Sequence, residues 1–253
     1  MTGGIDLAAE WAGFESVGQC EFADYPTKVL EKHWPDVPRW RDVRDVTGES
    51  IRERGIKEIT LLSGGFPCQP HSVAGKRKAS DDERDLWPEY RRVISEVTPR
   101  WVLGENVPGL LTSEFGQFFR GILRDLSELG YSVGWATYGA NAVGAFHQRS
   151  RLFIVAHAND RRSQGMLQEH RDTSKADEKS SIKMASHGFD GALYKGRIWP
   201  RQTRIRRVAH GIPHRMERFK CIGNSVPPQQ YYPILQAIAD IERSNHHEKI
   251  NQR

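Results

Sequence analysis

The sequence predicts an α/β fold in which short strands alternate with helices through the first two thirds of the chain. Short apolar runs alternate with amphipathic stretches from Ile5 to about Ala156, the pattern of successive strand and helix units. Of the 253 residues, 38% are hydrophobic and 27% are charged, which is typical of a chain that buries a core. This length predicts one substantial domain with a small appendage.

The individual elements follow from the spacing of apolar residues along the chain. The predicted strands are Ile59–Ser63, Trp101–Gly104, Ser132–Tyr138 and Leu152–Ala156. The predicted helices are Asp6–Ala12, Thr27–His33, Leu86–Val97, Phe115–Leu129 and Gln229–Arg243. Because ligands of open α/β sheets bind beyond the carboxyl ends of the strands, we expect the chemistry on loops along one edge.

The stretch between the last strand and the last helix differs in composition. Residues Asn159 to about Gly188 are polar and show no periodicity, which predicts a flexible insertion. A basic cluster follows, with Glu217 as its one acid; its cations are Arg201, Arg204, Arg206, Arg207, Arg215, Arg218 and Lys220. The net charge of +5 and this cluster permit a nucleic-acid partner without requiring one, and a solvated basic surface is the alternative.

Several classes of protein are disfavoured by the composition. The cysteines Cys20, Cys68 and Cys221 show no CxxC spacing, so neither a metal site nor a disulfide framework is indicated. Without further signals, Cys20 and Cys221 are interpreted as packing residues. No apolar run is long enough to cross a membrane, and the first residues lack a signal-peptide pattern. We therefore expect a cytoplasmic protein without a membrane partner.

The segment SGGFPCQPHS, which follows the apolar run ITLL, places Cys68 on a turn constrained by glycine and proline. A turn at the end of a strand exposes the thiol, as a nucleophile requires. The thiol forms a thiolate at neutral pH only in electropositive surroundings. Arg149 and Arg151 are candidates to supply them. The alternative for Cys68 is a small apolar filler. Glu105, in WVLGENVPGL, also follows an apolar strand. A glutamate is rarely placed at a strand end without solvent or a partner, so we predict that Glu105 is a proton donor; the alternative is a surface carboxylate.

Four segments, SGGFPCQPHS, GENV, QRSRLFIVA and KCIGNSVPP, resemble in sequence and order the motifs of bacterial and phage DNA cytosine-5 methyltransferases. The resemblance implies a Rossmann-like S-adenosylmethionine-dependent methyltransferase sheet with a small basic target-recognition lobe. It also implies three regions: residues 1–157 for catalysis and cofactor binding, 158–218 for target recognition, and 219–253 for the return to the catalytic domain.

The resemblance implies roles for the residues at the strand ends. Cys68 adds to carbon 6 of cytosine, and Glu105 hydrogen-bonds or protonates ring nitrogen 3. Arg151 contacts the carbonyl of the base, with Arg149 supporting the same loop. The substrate-binding residues that it implies are Gln69, Ser72 and Asn106.

The implied cofactor is S-adenosyl-L-methionine. Gly3 and Gly4 resemble the end of the family's glycine-rich turn, and Glu21 matches the acid that holds the ribose hydroxyls. Phe22 would lie against the adenine and Asp42 would read its amino group. Asn224 and Ser225, in the GNSV motif, are expected near the donor.

The implied partner is double-stranded DNA, and a monomer is expected; a restriction endonuclease of the same specificity is a further partner that the sequence leaves open. The family pattern includes a strand before the glycine turn, and this sequence starts at the turn. The missing strand makes a non-catalytic DNA-binding relic one alternative to the cytosine methyltransferase. An RNA cytosine-5 methyltransferase of the same fold is a second alternative.

Overall fold

The computed structural model describes residues 3–67, 85–159 and 224–251. These residues form two compact units. The first unit takes its described residues from Met1–Lys57, Gly139–Arg149 and Pro200–Arg253, and the second takes them from Glu58–Tyr138 and Ser150–Trp199. The predicted flexible insertion, apart from its first residue Asn159, and the basic cluster lie outside the described residues.

The helices and strands alternate along the chain as the apolar periodicity predicts. The helices are α1 (Gly4–Ala12), α2 (Asp24–His33), α3 (Gly48–Glu53), α4 (Trp87–Val97), α5 (Gln117–Glu128) and α6 (Pro228–Asn251). The strands are β1 (Gln19–Cys20), β2 (Arg39–Trp40), β3 (Leu61–Gly65), β4 (Trp101–Asn106), β5 (Tyr131–Tyr138) and β6 (Arg151–Ala158). Short 3-10 segments cover Val43–Asp45, Pro108–Gly116 and Ala140–Val143.

The second unit contains a four-stranded mixed sheet with the order β3-β4-β6-β5. Strands β3 and β4 run parallel, whereas β6 runs antiparallel to both β4 and β5. Strand β4 is buried along its whole length because it lies between two strands. Its carboxyl end, Glu105 and Asn106, pairs with Phe153 and Leu152 at the start of β6. This register brings the first residues of β6 to the edge of the sheet where β4 ends.

Helices α4 and α5 supply the apolar core of the second unit. The rings of Trp87 and Tyr90 on α4 pack around Phe66, which follows β3. The buried Tyr90 hydroxyl donates to the carbonyl oxygen of Leu103, at 3.2 Å. Burial raises the pKa of this phenol above its ordinary value of 10.0, so Tyr90 acts here as a neutral donor. These contacts hold α4 against the ends of β3 and β4.

The first unit joins the parallel pair β1 and β2 to the helical pair α1 and α6. A chain of polar contacts links these elements: Gln19 donates to the carboxylate of Asp6 at 2.8 Å and accepts from the Arg39 guanidinium at 2.9 Å. Arg39 in turn donates to the carbonyl oxygens of Leu30 and Trp34 at the end of α2. The partly buried polar groups are satisfied by one another, as burial requires.

All nine predicted elements are present, with shifted ends. The strand predicted at Ile59–Ser63 lies at Leu61–Gly65, because its pairing with β4 continues through Gly64 and Gly65. The helix predicted from Phe115 begins at Gln117, since Phe115 has a φ of +57° that an α-helix does not allow. Among the described residues, no helix is long and apolar enough to span a membrane.

Candidate functional site

The carboxyl end of β4 carries a buried ion pair. The Nε atom of Arg151 lies 2.9 Å from the Oε1 atom of Glu105, and the two side chains are only 16% and 11% exposed. Arg151 also donates to the carbonyl oxygen of Ser150, at 2.8 Å. A carboxyl group and a guanidinium are thus held side by side at the end of β4. A planar polar ligand bound there can hydrogen-bond to the carboxyl group and interact with the positive charge of the guanidinium.

Asn106, the next residue, fixes two backbone segments beside this pair. Its Nδ2 donates to the carbonyl oxygen of Phe66, at 3.0 Å, and its Oδ1 accepts from the amide of Val107, at 2.8 Å. The side-chain amide of Asn106 therefore holds Phe66, which lies two residues before Cys68, to the end of β4. The resemblance gave no means of identifying Phe66 as its partner.

The remaining predicted residues of this segment, Cys68, Gln69 and Ser72, lie outside the described residues. The structure describes the residues that directly precede Cys68. Strand β3 ends at Gly65, and the Phe66 ring is buried at 5.2 Å from the Trp87 ring, measured between centroids. The chain that leads to Cys68 therefore starts from an anchored position.

Arg149 belongs to the first unit and not to the unit that holds Glu105 and Arg151. Its backbone has a φ of +31°, a left-handed value that is uncommon for a residue with a side chain. Its carbonyl oxygen accepts a hydrogen bond from Nε2 of Gln230, at 3.1 Å. Sequence reasoning did not identify Gln230, because nothing in its local pattern indicates a contact with a residue 81 positions earlier.

Glu21 directly follows β1 and Asp42 is the second residue after β2, so both lie beyond the same edge of this parallel pair. One oxygen of Glu21 accepts from the backbone amide of Ala23, at 3.0 Å. Asp42 accepts from the backbone and the guanidinium of Arg44, at 2.9 and 3.2 Å. Phe22 between them is 75% exposed, so its ring is accessible to a planar ligand.

The N-terminus of α1 lies in the same unit. Gly3 has a φ of +78° and a side chain there would overlap the ring of Trp34, so only glycine fits. A Cβ on Gly4 would lie 2.5 Å from the carbonyl oxygen of Val226, in the GNSV motif. The seven predicted cofactor residues all fall in the first unit: Gly3, Gly4, Glu21, Phe22, Asp42, Asn224 and Ser225. Gly4 lies against Val226, the last residue of the GNSV motif.

Cys20 is exposed, so its interpretation as a packing residue is wrong. Partial removal of water from the thiol, followed by the charges of Asp42, Glu21 and Asp45, raises its pKa from 9.0 to about 11. The neutral thiol is the form that these surroundings favour. Cys20 therefore lacks the electropositive surroundings that a reactive cysteine needs.

We expect Cys20 to react slowly with disulfide reagents. A rise in pKa from 9.0 to about 11 lowers the thiolate fraction at pH 8 about 100-fold. A more basic thiolate is roughly tenfold more nucleophilic, so the reaction of Cys20 should be roughly tenfold slower than that of an ordinary cysteine. The rate at Cys20, followed by peptide mass spectrometry, should keep rising with pH to about 11. A midpoint at or below 9 would contradict the assigned surroundings.

The model of the family described as C-5 cytosine-specific DNA methylase matches residues 1–206. Among curated proteins, the chain is 38% identical over 162 residues to the Type II methyltransferase M.NgoMIV of Neisseria gonorrhoeae, covering 62% of this chain and 49% of that protein. It is 35% identical over 154 residues to the Type II methyltransferase M.BsuFI of Bacillus subtilis, covering 60% and 36%. The chain thus spans half or less of the length of these relatives.

Solved structures are similar in fold. The chain aligns with a TM-score of 0.54 and 26% identity to a protein named as a DNA modification methyltransferase from an Escherichia coli prophage, over 62% of this chain and 44% of that one. The Spodoptera frugiperda DNMT2 structure aligns with a TM-score of 0.50 and 20% identity, over 63% and 48%. The predicted Rossmann-like methyltransferase sheet is confirmed.

Proposed function

Because the chain belongs to the C-5 cytosine-specific DNA methylase family, we propose that it transfers a methyl group from S-adenosyl-L-methionine to carbon 5 of cytosine in duplex DNA. The observation that carries this proposal is the buried pair of Glu105 and Arg151, 2.9 Å apart at the end of β4. Such a pair suits a pyrimidine, whose ring nitrogen 3 and carbonyl oxygen are adjacent hydrogen-bonding groups.

Cytosine carbon 5 is a weak nucleophile, so the ring must first be activated. The Cys68 thiolate forms a bond to carbon 6, and the electrons of the carbon 5–carbon 6 double bond move toward carbon 5 and the ring. Glu105, whose carboxylate must first take up a proton, hydrogen-bonds to or protonates nitrogen 3, and Arg151 contacts the carbonyl oxygen, so both offset the negative charge that develops. Once carbon 5 carries the methyl group, a base removes its proton and the bond to Cys68 breaks.

The first unit supplies the residues that would hold the donor, which provides an electrophilic methyl group when it is bound. Glu21 would accept from the ribose hydroxyls and Asp42 from the adenine amino group. The exposed ring of Phe22 fits a stacked adenine. Gly3, Gly4, Asn224 and Ser225 would contact the methionine part, where the amide groups at the start of α1 favour a carboxylate.

Duplex DNA fits this chemistry only if the target base leaves the stack, which costs a few kcal/mol. We assign Gln69 and Ser72 to the border of the flipped nucleotide, and Asn106 to the same border through the Phe66 carbonyl that it binds. Residues 158–218, with the basic cluster Arg201–Lys220, would contact phosphates and read the recognition sequence. Residues 1–157 and 219–253 then form the catalytic part.

The names of the relatives, Type II methyltransferases, support a setting in restriction and modification. We assign the protein to the cytoplasm, where it acts on DNA as a monomer. A restriction endonuclease that cuts the same sequence is the partner that this setting calls for.

The proposal is tested with tritiated methyl donor and the full chain. We expect label in duplex DNA and none in transfer RNA, with bisulfite sequencing placing the modified cytosines in one sequence context. Label in transfer RNA alone would replace the proposal by RNA methylation. No label in either substrate, at saturating donor and DNA, would contradict methyl transfer altogether.

A further inference from the structure

We infer that Gln230 is a positioning residue for methyl transfer, which fixes the backbone just before the strand that carries Arg151; this rests on the proposed function. Gln230 lies in the first turn of α6 and is 0% exposed. Its Nε2 donates to the carbonyl oxygen of Arg149, at 3.1 Å. Because a buried amide side chain is costly unless it is hydrogen-bonded, a fully buried glutamine indicates a specific polar contact.

The residue that Gln230 contacts has an unfavourable backbone conformation. Arg149 has a φ of +31°, which residues with a side chain rarely adopt. Such conformations persist only where the surrounding structure holds them, and they concentrate at functional sites. The hydrogen bond from Gln230 ends on the carbonyl group of this same residue, so it acts directly on the strained peptide.

A second contact holds the preceding peptide group. The carbonyl oxygen of Gln148 accepts from the amide of Ala140, at 2.5 Å. Gly139 permits this approach, because a Cβ at that position would lie 2.6 Å from the same oxygen. The carbonyls of Gln148 and Arg149 are therefore each held, one by the backbone at residues 139–140 and one by the side chain of Gln230.

Arg151 is separated from Arg149 by Ser150 alone and is the first residue of β6. A change in the backbone at Arg149 is thus carried along the chain to the guanidinium that pairs with Glu105 at 2.9 Å. Catalytic groups that are displaced by about 1 Å lose up to roughly 100-fold in rate. Gln230 would therefore contribute to the rate without touching the substrate.

The test compares Gln230→Met with Gln236→Met in the full chain. Both variants remove an amide from α6, but that of Gln236 donates to the exposed Asp240 on the same helix. In Gln230→Met we expect kcat to fall about 10- to 100-fold, while the dissociation constant of the donor stays within about twofold of the wild type. Gln236→Met should retain wild-type kcat. Gln230→Glu is a second variant: burial beside a carbonyl oxygen favours its neutral acid form, which can still donate, so it should retain more of kcat than Gln230→Met.

Amide hydrogen exchange of a peptide covering residues 144–152 is the second readout, and it needs no activity. We expect faster exchange there in Gln230→Met than in the wild type. Unchanged exchange would overturn the inference even if the wild type transferred no methyl group, an outcome that would separately contradict the proposed function. An equal loss of kcat and donor affinity would also overturn it, because general loosening of the first unit would then explain the effect.

Discussion

Cys68→Ser is expected to abolish methyl transfer, with a loss on the order of 10⁶-fold, the scale found when a covalent catalyst loses its nucleophile. A serine hydroxyl is hardly ionised at neutral pH, so it cannot add to carbon 6 as a thiolate does. The measurement is labelled methyl incorporation into duplex DNA. A duplex with 5-fluorocytosine at the target gives a second measurement, because fluorine cannot leave as a proton does and the adduct to Cys68 should persist.

The matched control for this change is Cys20→Ser. Cys20 is exposed, and its pKa of about 11 leaves almost no thiolate at neutral pH, so the same substitution should leave activity unchanged. Cys68→Ser should also bind the donor as the wild type does, which separates loss of the nucleophile from loss of folding. If both variants methylate DNA equally, or if the fluorinated duplex is captured without Cys68, this cysteine is not the nucleophile.

The long elements of this fold could be predicted because each satisfies its periodicity over many residues. Strands β5 and β6 contain eight residues each, and the predicted bounds differ from the observed ones by at most two residues. Strands β1 and β2, with two residues each, were missed because alternation cannot be recognised over so short a length. Helix α3 was missed as well, although Thr47 and Ser50 form a capping box at its start.

The residues of the candidate site could be predicted where a sequence motif directly adjoins a strand that is itself recognisable from the sequence. Glu105 and Asn106 directly follow an apolar run, so their place at the end of β4 could be read from the sequence. The partners that hold the site could not, because they come from distant positions. The Phe66 carbonyl contacts Asn106 across 40 residues, and Gln230 contacts Arg149 across 81. A backbone carbonyl has no residue type, so no sequence motif identifies it as a partner.

Glu105→Gln is expected to lower kcat about 10²- to 10⁴-fold, the range associated with one general acid. The substitution keeps the shape of the side chain and removes its acidity, so nitrogen 3 receives no proton as Cys68 adds. It also leaves the guanidinium of Arg151, 16% exposed, beside an uncharged amide. An unpaired buried charge is destabilising, and thermal unfolding must therefore be measured together with activity.

Glu96→Gln is the matched control, because Glu96 also pairs with an arginine, Arg92 at 2.8 Å, but on the surface of α4. Exposed pairs of this kind contribute about 0–1 kcal/mol, so this variant should keep wild-type kcat and stability. If Glu105 and Arg151 act on one base, the losses in Glu105→Gln and Arg151→Met should fail to add in the double variant. A Glu105→Gln kcat within twofold of the wild type would mean that the buried pair stabilises the end of β4 and takes no part in protonating the ring.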